Sequence, residues 1–106
     1  MSHAAQTVDV RVAVPSQLRD LAGVDGDLRV TVTPPVTVDA VVDALERAHP
    51  RLAGTIRDRG TRRRRAMIRV YADGEDFSDT WTDRELPRAV LEGREPVRLV
   101  GAIAGG

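Results

Sequence analysis

The amino-acid sequence predicts an α+β fold in two layers, with a mixed sheet of four to five strands and one main helix on one of its faces. Two observations lead to this prediction. Three short segments alternate apolar and polar residues, which is typical of strands with one buried face. One longer segment repeats its apolar residues at the spacing of an α-helix. The 106 residues are enough for one domain spanning residues 1–106.

The first two strands are predicted at residues 8–14 and 28–32, because both segments alternate without a fault. Between them, residues 17–21 have the pattern of a short turn of helix, and residues 24–27 are typical of a turn. We therefore expect the two strands to form an antiparallel pair joined by a rather long loop.

The main helix is predicted at residues 38–48. Pro34-Pro35 ends the preceding strand, since proline has no backbone N–H for a ladder. Thr37 is suited to cap the helix, and Pro50 stops it. The apolar side of this helix is predicted to contain Val38, Val41, Val42, Leu45 and Ala48. The opposite, solvated side is predicted to contain Asp39, Asp43, Glu46 and Arg47.

The connector that follows, residues 51–66, is the least regular part of the sequence. Leu52 and Ile56 are expected to anchor it to the core. The run of four arginines at 62–65 is expected to be an exposed loop. Such a run can also bind phosphate or an acidic patch of a partner, and the residues leave this alternative open.

Two further strands are predicted at residues 67–72 and at about 97–100. The Asp73-Gly74 dipeptide is typical of a tight turn, and Phe77 and Trp81 are expected to anchor the polar segment after it. The predicted core contains Val8, Val10, Val12, Val14, Val30, Val41, Leu45, Val70, Val97 and Leu99.

The composition excludes several classes of function. There is no cysteine, which excludes disulfides, thiolate metal sites and a cysteine nucleophile. The sixteen basic residues, all arginine, balance sixteen acidic ones, and three aromatic residues offer little surface for stacking bases. No apolar stretch approaches the roughly 20 residues that cross a bilayer. We therefore expect a soluble cytoplasmic protein that binds other proteins, with no nucleic acid and no membrane among its partners.

No arrangement of residues in the sequence predicts catalysis by this chain alone. A Ser-His-Asp pattern and a phosphate-binding glycine loop are both missing from the sequence. His3 and His49 form no cluster with metal-ligand spacing, so no metal site is expected.

The last predicted strand leads into a segment of small residues that ends in Gly105-Gly106. Glycine has no Cβ, so such a segment can enter a channel too narrow for side chains and bring the last carboxylate to an enzyme. The alternative is an ordinary frayed terminus.

Taken together, the segments resemble the MoaD and ThiS family of ubiquitin-like sulfur carriers, which have the β-grasp fold. The segments that carry the resemblance are residues 10–19, 37–45, 68–76 and 101–106. The resemblance implies a single β-grasp domain in which residues 1–6 are disordered and residues 101–106 form a flexible tail. One departure is Gly101, where the family more often has proline.

The resemblance also implies a protein co-substrate rather than an enzyme. An ATP-dependent adenylyltransferase of the MoeB or ThiF type would convert the Gly106 carboxylate to an acyl-adenylate. A sulfur donor would then leave a thiocarboxylate on Gly106 for a sulfur-accepting synthase. ATP would be bound by the partner, and the chain itself would hold no cofactor. The site residues implied are Gly105 and Gly106 at the reactive end, with Gly101, Ala102, Ile103 and Ala104 as the docking tail.

Two alternatives stay open. A ubiquitin-like modifier would share the adenylation step but would be joined through Gly106 to lysines of other proteins. A binding module without catalytic chemistry could simply end in glycine. For a sulfur carrier, the acceptor pathway could be of the molybdopterin, cysteine or thiamine type, and the long connector makes the chain more similar to the first two.

Overall fold

The computed structural model describes residues 6–101, so the predicted disordered start lies outside the described residues apart from Gln6. Within this range, strands and helices alternate with irregular segments. In chain order they are β1 (Val8–Ala13), α1 (Ser16–Ala22), β2 (Leu28–Val32), α2 (Val38–Ala48), a 3-10 turn (Pro50–Leu52), β3 (Ile68–Ala72), β4 (Glu75–Asp76), α3 (Arg88–Leu91) and β5 (Val97–Gly101).

The five strands form one mixed sheet in the order β2-β1-β5-β3-β4. β1 and β2 are antiparallel, with Val10 opposite Val30, which confirms the predicted pair. β5 lies parallel to β1, with Val12 opposite Val97, and antiparallel to β3. The first and last strands of the chain are therefore neighbours in the middle of the sheet.

The core lies between the inner face of the sheet and α2. Alternate residues of β1, β2, β3 and β5 are buried, as the period of two predicts. The predicted core is confirmed except at Val8, which is only partly buried because it occupies the first position of β1. The buried members of the predicted set are Val10, Val12, Val14, Val30, Val41, Leu45, Val70, Val97 and Leu99.

The main helix begins and ends where the sequence predicts. The Thr37 hydroxyl accepts a hydrogen bond from the Ala40 backbone N–H at 3.2 Å, which satisfies one of the free donors at the helix start. The prediction for Ala48 was wrong, because this residue is exposed and Ala44 is buried instead. Ala48 occupies the last turn of α2, where the helix borders a groove beside β2 rather than the core.

Two short helices accompany α2. The predicted turn at 17–21 is the helix α1, which buries Leu18 and ends at Gly23 with a φ of 72°. Helix α3 was not predicted. Its single turn follows Pro87 and buries Ala89 and Val90. Four residues are too few for the helical spacing of apolar residues to stand out in a sequence.

The connector is pinned to α2 by a buried charge. Leu52 and Ile56 are buried as predicted, but so is Arg57, which is 1% exposed. Its guanidinium nitrogens lie 2.8 Å from an Asp39 oxygen, 3.3 Å from Asp43 and 2.9 Å from Glu46, all carboxylates of α2. Those acids were predicted to face solvent, and the structure corrects this in part, because the connector covers much of their surface. A pattern read along one helix cannot show which distant segment lies over it.

The carboxylates of α2 make the burial of Arg57 tolerable. Burial by itself lowers the pKa of Arg57, but the hydrogen bond and charge of Glu46, followed by the charge of Asp39, raise that pKa above its ordinary value. The guanidinium therefore stays charged, and its three contacts tie the connector to successive turns of α2.

The arginine run is only partly the exposed loop that the sequence predicts. Arg64 is half-buried, and its guanidinium donates to the backbone carbonyl oxygens of Ser78 and Ile68, both at 2.8 Å. Arg65 donates to the carbonyl oxygen of Gly54. Part of the run therefore holds the connector against β3 and the segment after β4, instead of facing solvent.

Replacing Arg57 tests the importance of this network. Arg57→Met keeps a long apolar side chain but leaves three carboxylates without their shared partner. We expect the free energy of unfolding to fall by about 3 kcal/mol, at the low end for broken buried ion pairs because the carboxylates keep some exposure. Denaturant unfolding measures this. Arg63→Met, at an exposed position of the same connector, is the matched control. Equal stability of the two variants would contradict the network's role.

Candidate functional site

Only one of the predicted site residues lies within the described part of the chain. Gly101 is the last residue of β5 and is paired with Ile68 of β3, so it belongs to the sheet. Gly101 itself is therefore a strand residue, although the sequence analysis placed it in the tail. The other predicted site residues, which lie outside the described residues, are Ala102, Ile103, Ala104, Gly105 and Gly106.

Gly101 is held where no other residue fits. Its φ of 154° lies in a region that side-chain-bearing residues rarely adopt. A Cβ at this position would overlap the carbonyl oxygen of Met67 and lie 2.9 Å from the carbonyl carbon of the same residue. The backbone at the end of β5 therefore passes directly against the backbone that leads into β3.

Two exposed apolar side chains flank the end of β5. Among residues 6–101, Met67 and Val100 are the large apolar residues with high exposure, at 58% and 48% of their surface. Val100 directly precedes Gly101, while Met67 directly precedes its partner Ile68. Exposed apolar groups that lie next to one another mark surfaces that bind other molecules more often than isolated ones do.

Basic side chains border the apolar pair on the outer face of the sheet. Arg69 lies opposite Val100 in the pairing of β3 with β5, and Tyr71 lies opposite the exposed Arg98. We call this surface, formed by Met67, Arg69, Tyr71, Arg98 and Val100, the open face. A combination of apolar and arginine side chains is typical of the centre of a protein-binding surface.

A shallow depression adjoins the open face at the end of β1. Its volume is about 290 Å³, and its walls are Ala13, Val14, Pro15 and residues 98–101. The depression is wide open and carries few polar groups, so it is better suited to a side chain of a docked protein than to an enclosed small ligand.

The turn beside the open face is fixed by a carboxylate. Asp76 accepts a hydrogen bond from the Ser78 backbone N–H at 2.8 Å and forms an ion pair with Arg69. The hydrogen bonds from the Ser78 side chain and backbone, aided by the charge of Arg69, lower the pKa of Asp76 from 3.8 to about 2. Asp76 thus remains charged at neutral pH and holds Arg69 in place on the open face.

The sequence analysis did not identify Met67 and Val100 as site residues, although the sequence contains a signal for Val100. Val97 and Leu99 are buried, so a period of two places Arg98 and Val100 on the outer face. An apolar residue in the outer phase of an otherwise regular strand is the pattern that could have marked Val100. Met67 had no such signal, because its exposure depends on where β3 begins.

The arginine run forms a second, weaker candidate. A cleft of about 660 Å³ lies between the connector and the segment after β4, and its walls include Arg62, Arg63, Arg64, Asp39 and Asp79. Arg64 donates to the Asp79 carboxylate at 3.0 Å and to backbone carbonyls. Both signs of charge face this cleft, and Arg64 already has its partners. The structure therefore gives less support to an anion site here than the sequence suggests.

In the part of the chain that the structure describes, no group of three or more His, Asp or Glu side chains is placed to hold a metal ion. No described helix has the length and apolar character needed to cross a bilayer.

The strand order, with parallel first and last strands at the centre and α2 across one face, defines a ubiquitin-like β-grasp fold. Three solved structures that share it come from archaea and bacteria. Small archaeal modifier protein 1 from Haloferax volcanii has a TM-score of 0.69 and 24% identity, over 92% of this chain and 99% of that chain. The Amycolatopsis orientalis BexX/CysO complex has a TM-score of 0.67 and 21% identity, over 92% and 99%.

Small archaeal modifier protein 1 from Methanosarcina acetivorans has a TM-score of 0.66 and 18% identity, over 95% of this chain and 99% of that chain. Identities this low show the fold, and the predicted β-grasp fold is thereby confirmed. No family model matches the sequence, and neither does any curated protein.

The contact at Gly101 leads to a prediction about stability. Gly101→Ala would press a Cβ into the Met67 backbone, so the end of β5 must separate from β3. We expect a loss of about 1–3 kcal/mol in the free energy of unfolding and faster amide exchange at Arg69, which is paired with Val100 of β5. Gly26→Ala is the matched control, because a Cβ there meets no atom within 4 Å. A Gly101→Ala variant as stable as the control would show that the close approach is not required.

The low pKa of Asp76 leads to a prediction about acid stability. Because its pKa is about 2 in the folded state and 3.8 ordinarily, the charged form stabilises the fold above about pH 4. This stabilisation is lost as the pH falls from about 4 to about 2. Asp76→Asn should therefore flatten the dependence of unfolding free energy on pH across that window. Asp25→Asn, in the exposed turn before β2, is the matched control for the loss of one surface carboxylate, and an Asp76→Asn slope no flatter than that of this control would contradict the role of Asp76.

Proposed function

We propose that this chain is a ubiquitin-like sulfur carrier, a protein co-substrate that acts through the carboxylate of Gly106. In this proposal an ATP-dependent partner of the MoeB or ThiF type activates the carboxylate, and a sulfur donor converts it to a thiocarboxylate. A synthase then takes the sulfur. The chain contributes a rigid docking body and a narrow tail, and the partner contributes the ATP site.

The observation that carries the proposal is the course of β5. This strand is central in a β-grasp sheet, ends at Gly101 between two exposed apolar side chains, and is followed in the sequence by Ala-Ile-Ala-Gly-Gly. Small archaeal modifier protein 1 and CysO have the same fold, the latter in a complex with BexX. Their names support a role as a modifier or as the protein partner of another chain.

The chemistry requires no side chain of this protein. The Gly106 carboxylate attacks the α-phosphorus of ATP, and pyrophosphate leaves, which produces the acyl-adenylate. Hydrosulfide supplied by the sulfur donor then attacks the acyl carbon, AMP leaves with the bonding electrons, and loss of the S–H proton leaves the thiocarboxylate on Gly106. Activation of a carboxylate in this way exchanges a poor leaving group for a good one, at the cost of one ATP. Small residues before the reactive end keep the approach narrow.

The open face supplies the docking surface in this proposal. Met67 and Val100 offer apolar contact area beside the end of β5, while Arg98 offers positive charge next to the Arg69–Asp76 ion pair. A partner with acidic groups around an apolar centre would complement this surface. Docking there would place the start of the tail at the entrance of the partner's site, so that only the tail has to reach inside.

A protein modifier is the second candidate, and the names of two structural neighbours favour it. It shares the adenylate but transfers the Gly106 acyl group to lysine amines of other proteins. The chain has no lysine among its 106 residues, so it cannot build lysine-linked polymers of itself. Any conjugate would carry single copies at each target lysine.

The proposal is tested by the mass of the intact protein. The full chain is incubated with an activating enzyme of the MoeB or ThiF type, ATP and a sulfide donor. We expect a mass gain equal to the replacement of one oxygen by sulfur, and its loss when Gly106 is deleted. A chain without residues 1–5 is the control deletion and should react like the parent. Formation of amide conjugates in a lysate instead would favour the modifier, and no reaction of any kind would overturn both candidates.

The role of the open face is tested in the same assay. Arg98→Glu reverses a charge on the open face, whereas Arg88→Glu reverses an exposed charge on α3. We expect Arg98→Glu to slow thiocarboxylate formation by about tenfold through weaker docking, and Arg88→Glu to leave the rate unchanged. Equal rates would place docking elsewhere on the molecule while leaving the Gly106 chemistry intact.

A further inference from the structure

The two edges of the sheet differ in how many of their backbone groups are already hydrogen-bonded. On the outer side of β3, the two-residue strand β4 pairs with only part of the strand. The remaining backbone N–H and C=O groups of β3 on this side form other hydrogen bonds. The Val70 N–H donates to the Ser78 hydroxyl at 2.9 Å, and the Val70 carbonyl accepts from the Phe77 N–H at 2.8 Å. The Ile68 carbonyl accepts from Arg64 at 2.8 Å. This edge is therefore closed to another strand.

The opposite edge is β2, and it has no such cover in the described residues. β2 pairs with β1 on one side only, and no other strand of residues 6–101 lies beside it. Its five residues contain neither proline nor glycine, and their burial alternates regularly. A strand in this position presents a row of backbone donors and acceptors that a further strand can use.

A groove accompanies this edge. It lies between β2 and α2 and has a volume of about 590 Å³. Val30 of β2 and the alanines Ala44 and Ala48, one turn apart on α2, form its apolar part. Because the alanine side chains are small, the helix leaves room beside the strand for the side chains of another segment.

The charges at the groove favour an acidic occupant. Arg29 is exposed and makes no side-chain hydrogen bond within the described residues, and the Arg47 side chain is 75% exposed with only Asp43 beside it, at 3.3 Å. The acidic group of the groove, Asp9, already accepts a hydrogen bond from the Thr31 hydroxyl at 3.2 Å. The walls of the groove thus carry two arginines and one carboxylate, which gives them a net positive charge.

We propose that the β2 edge binds an extended, acidic segment of a partner protein, which adds a sixth strand to the sheet. Backbone hydrogen bonds to β2 would supply much of the affinity, as in other cases of strand addition. Alternate side chains of the segment would enter the groove over Ala44 and Ala48, and acidic groups would lie near Arg29 and Arg47. This binding does not involve Gly106 and goes beyond the proposed function.

The same charges disfavour a second copy of this chain as the occupant. Pairing of two β2 strands would bring two sets of Arg29 and Arg47 to one interface, where like charges repel. An acidic segment meets no such repulsion. The charge at the groove therefore selects between the two kinds of strand that could add to this edge.

The probe for a first experiment is the capped peptide Glu-Val-Thr-Val-Thr-Val-Glu, titrated into the full chain labelled for NMR. We expect shifts and slowed hydrogen exchange at β2 amides as the peptide is added. A peptide with proline in place of the central valine cannot form the ladder, and one with lysines in place of both glutamates has the wrong charge. Both should bind at least threefold more weakly.

Charge reversals on the protein locate the contact. Arg29→Glu and Arg47→Glu should each weaken the Glu-flanked peptide about threefold to tenfold. Arg88→Glu is the matched control, since Arg88, like Arg47, is an exposed helical arginine beside an acid four residues away. Melting curves verify that the variants fold. Deleting Gly106 should leave peptide binding unchanged, which separates this proposal from the proposed function.

Several results would overturn the proposal. One is the absence of shifts at β2 at millimolar peptide, and another is a set of shifts confined to the open face. Slow exchange of the outward β2 amides before any peptide is added would mean that another part of the chain occupies the edge. Slow exchange that grows with protein concentration would mean that a second copy does so.

Discussion

The parallel pairing of β1 with β5 is the constraint on which the rest of the structure depends. It brings the first and last strands of the chain together in the middle of the sheet, with Val12 opposite Val97. The strands of the segment between them then lie on either side of this pair, with β2 next to β1 and β3 next to β5. This arrangement places the end of β5 at Gly101, beside Met67 and Val100.

Polar contacts hold the irregular part of the chain onto this frame. The connector has few apolar side chains, so Leu52 and Ile56 alone leave much of it without anchors. Arg57 compensates by reaching the carboxylates of α2, and Arg64 does so by donating to backbone carbonyls on the other side. The contact of Arg64 with Ile68 has a second consequence, because it satisfies the backbone at one edge of the sheet.

The molecule thus offers two surfaces with different properties. The open face combines apolar and basic side chains at the end of β5, and in the proposed function it docks the partner that acts on Gly106. The β2 edge offers backbone groups and a basic groove, and β1 separates it from β5 in the sheet. In our proposals the two surfaces serve different partners. A carrier that is recognised along one edge while its tail is processed at another place would have both surfaces occupied at once.

The sequence by itself determined the longer regular elements. The period of two in β1, β2, β3 and β5, and the helical spacing with its Thr37 cap in α2, are local properties, so they could be found without knowledge of the fold. Arg57, Met67 and Ala48 could not be assigned in the same way, because their environment comes from residues distant in the sequence, whereas the period of two in β5 already places Val100 on the outer face. Only the tertiary structure decided that the acids of α2 face a buried arginine and that one edge of the sheet is closed. Burial and pairing depend on which segments meet in space, and local periodicity carries no information about that.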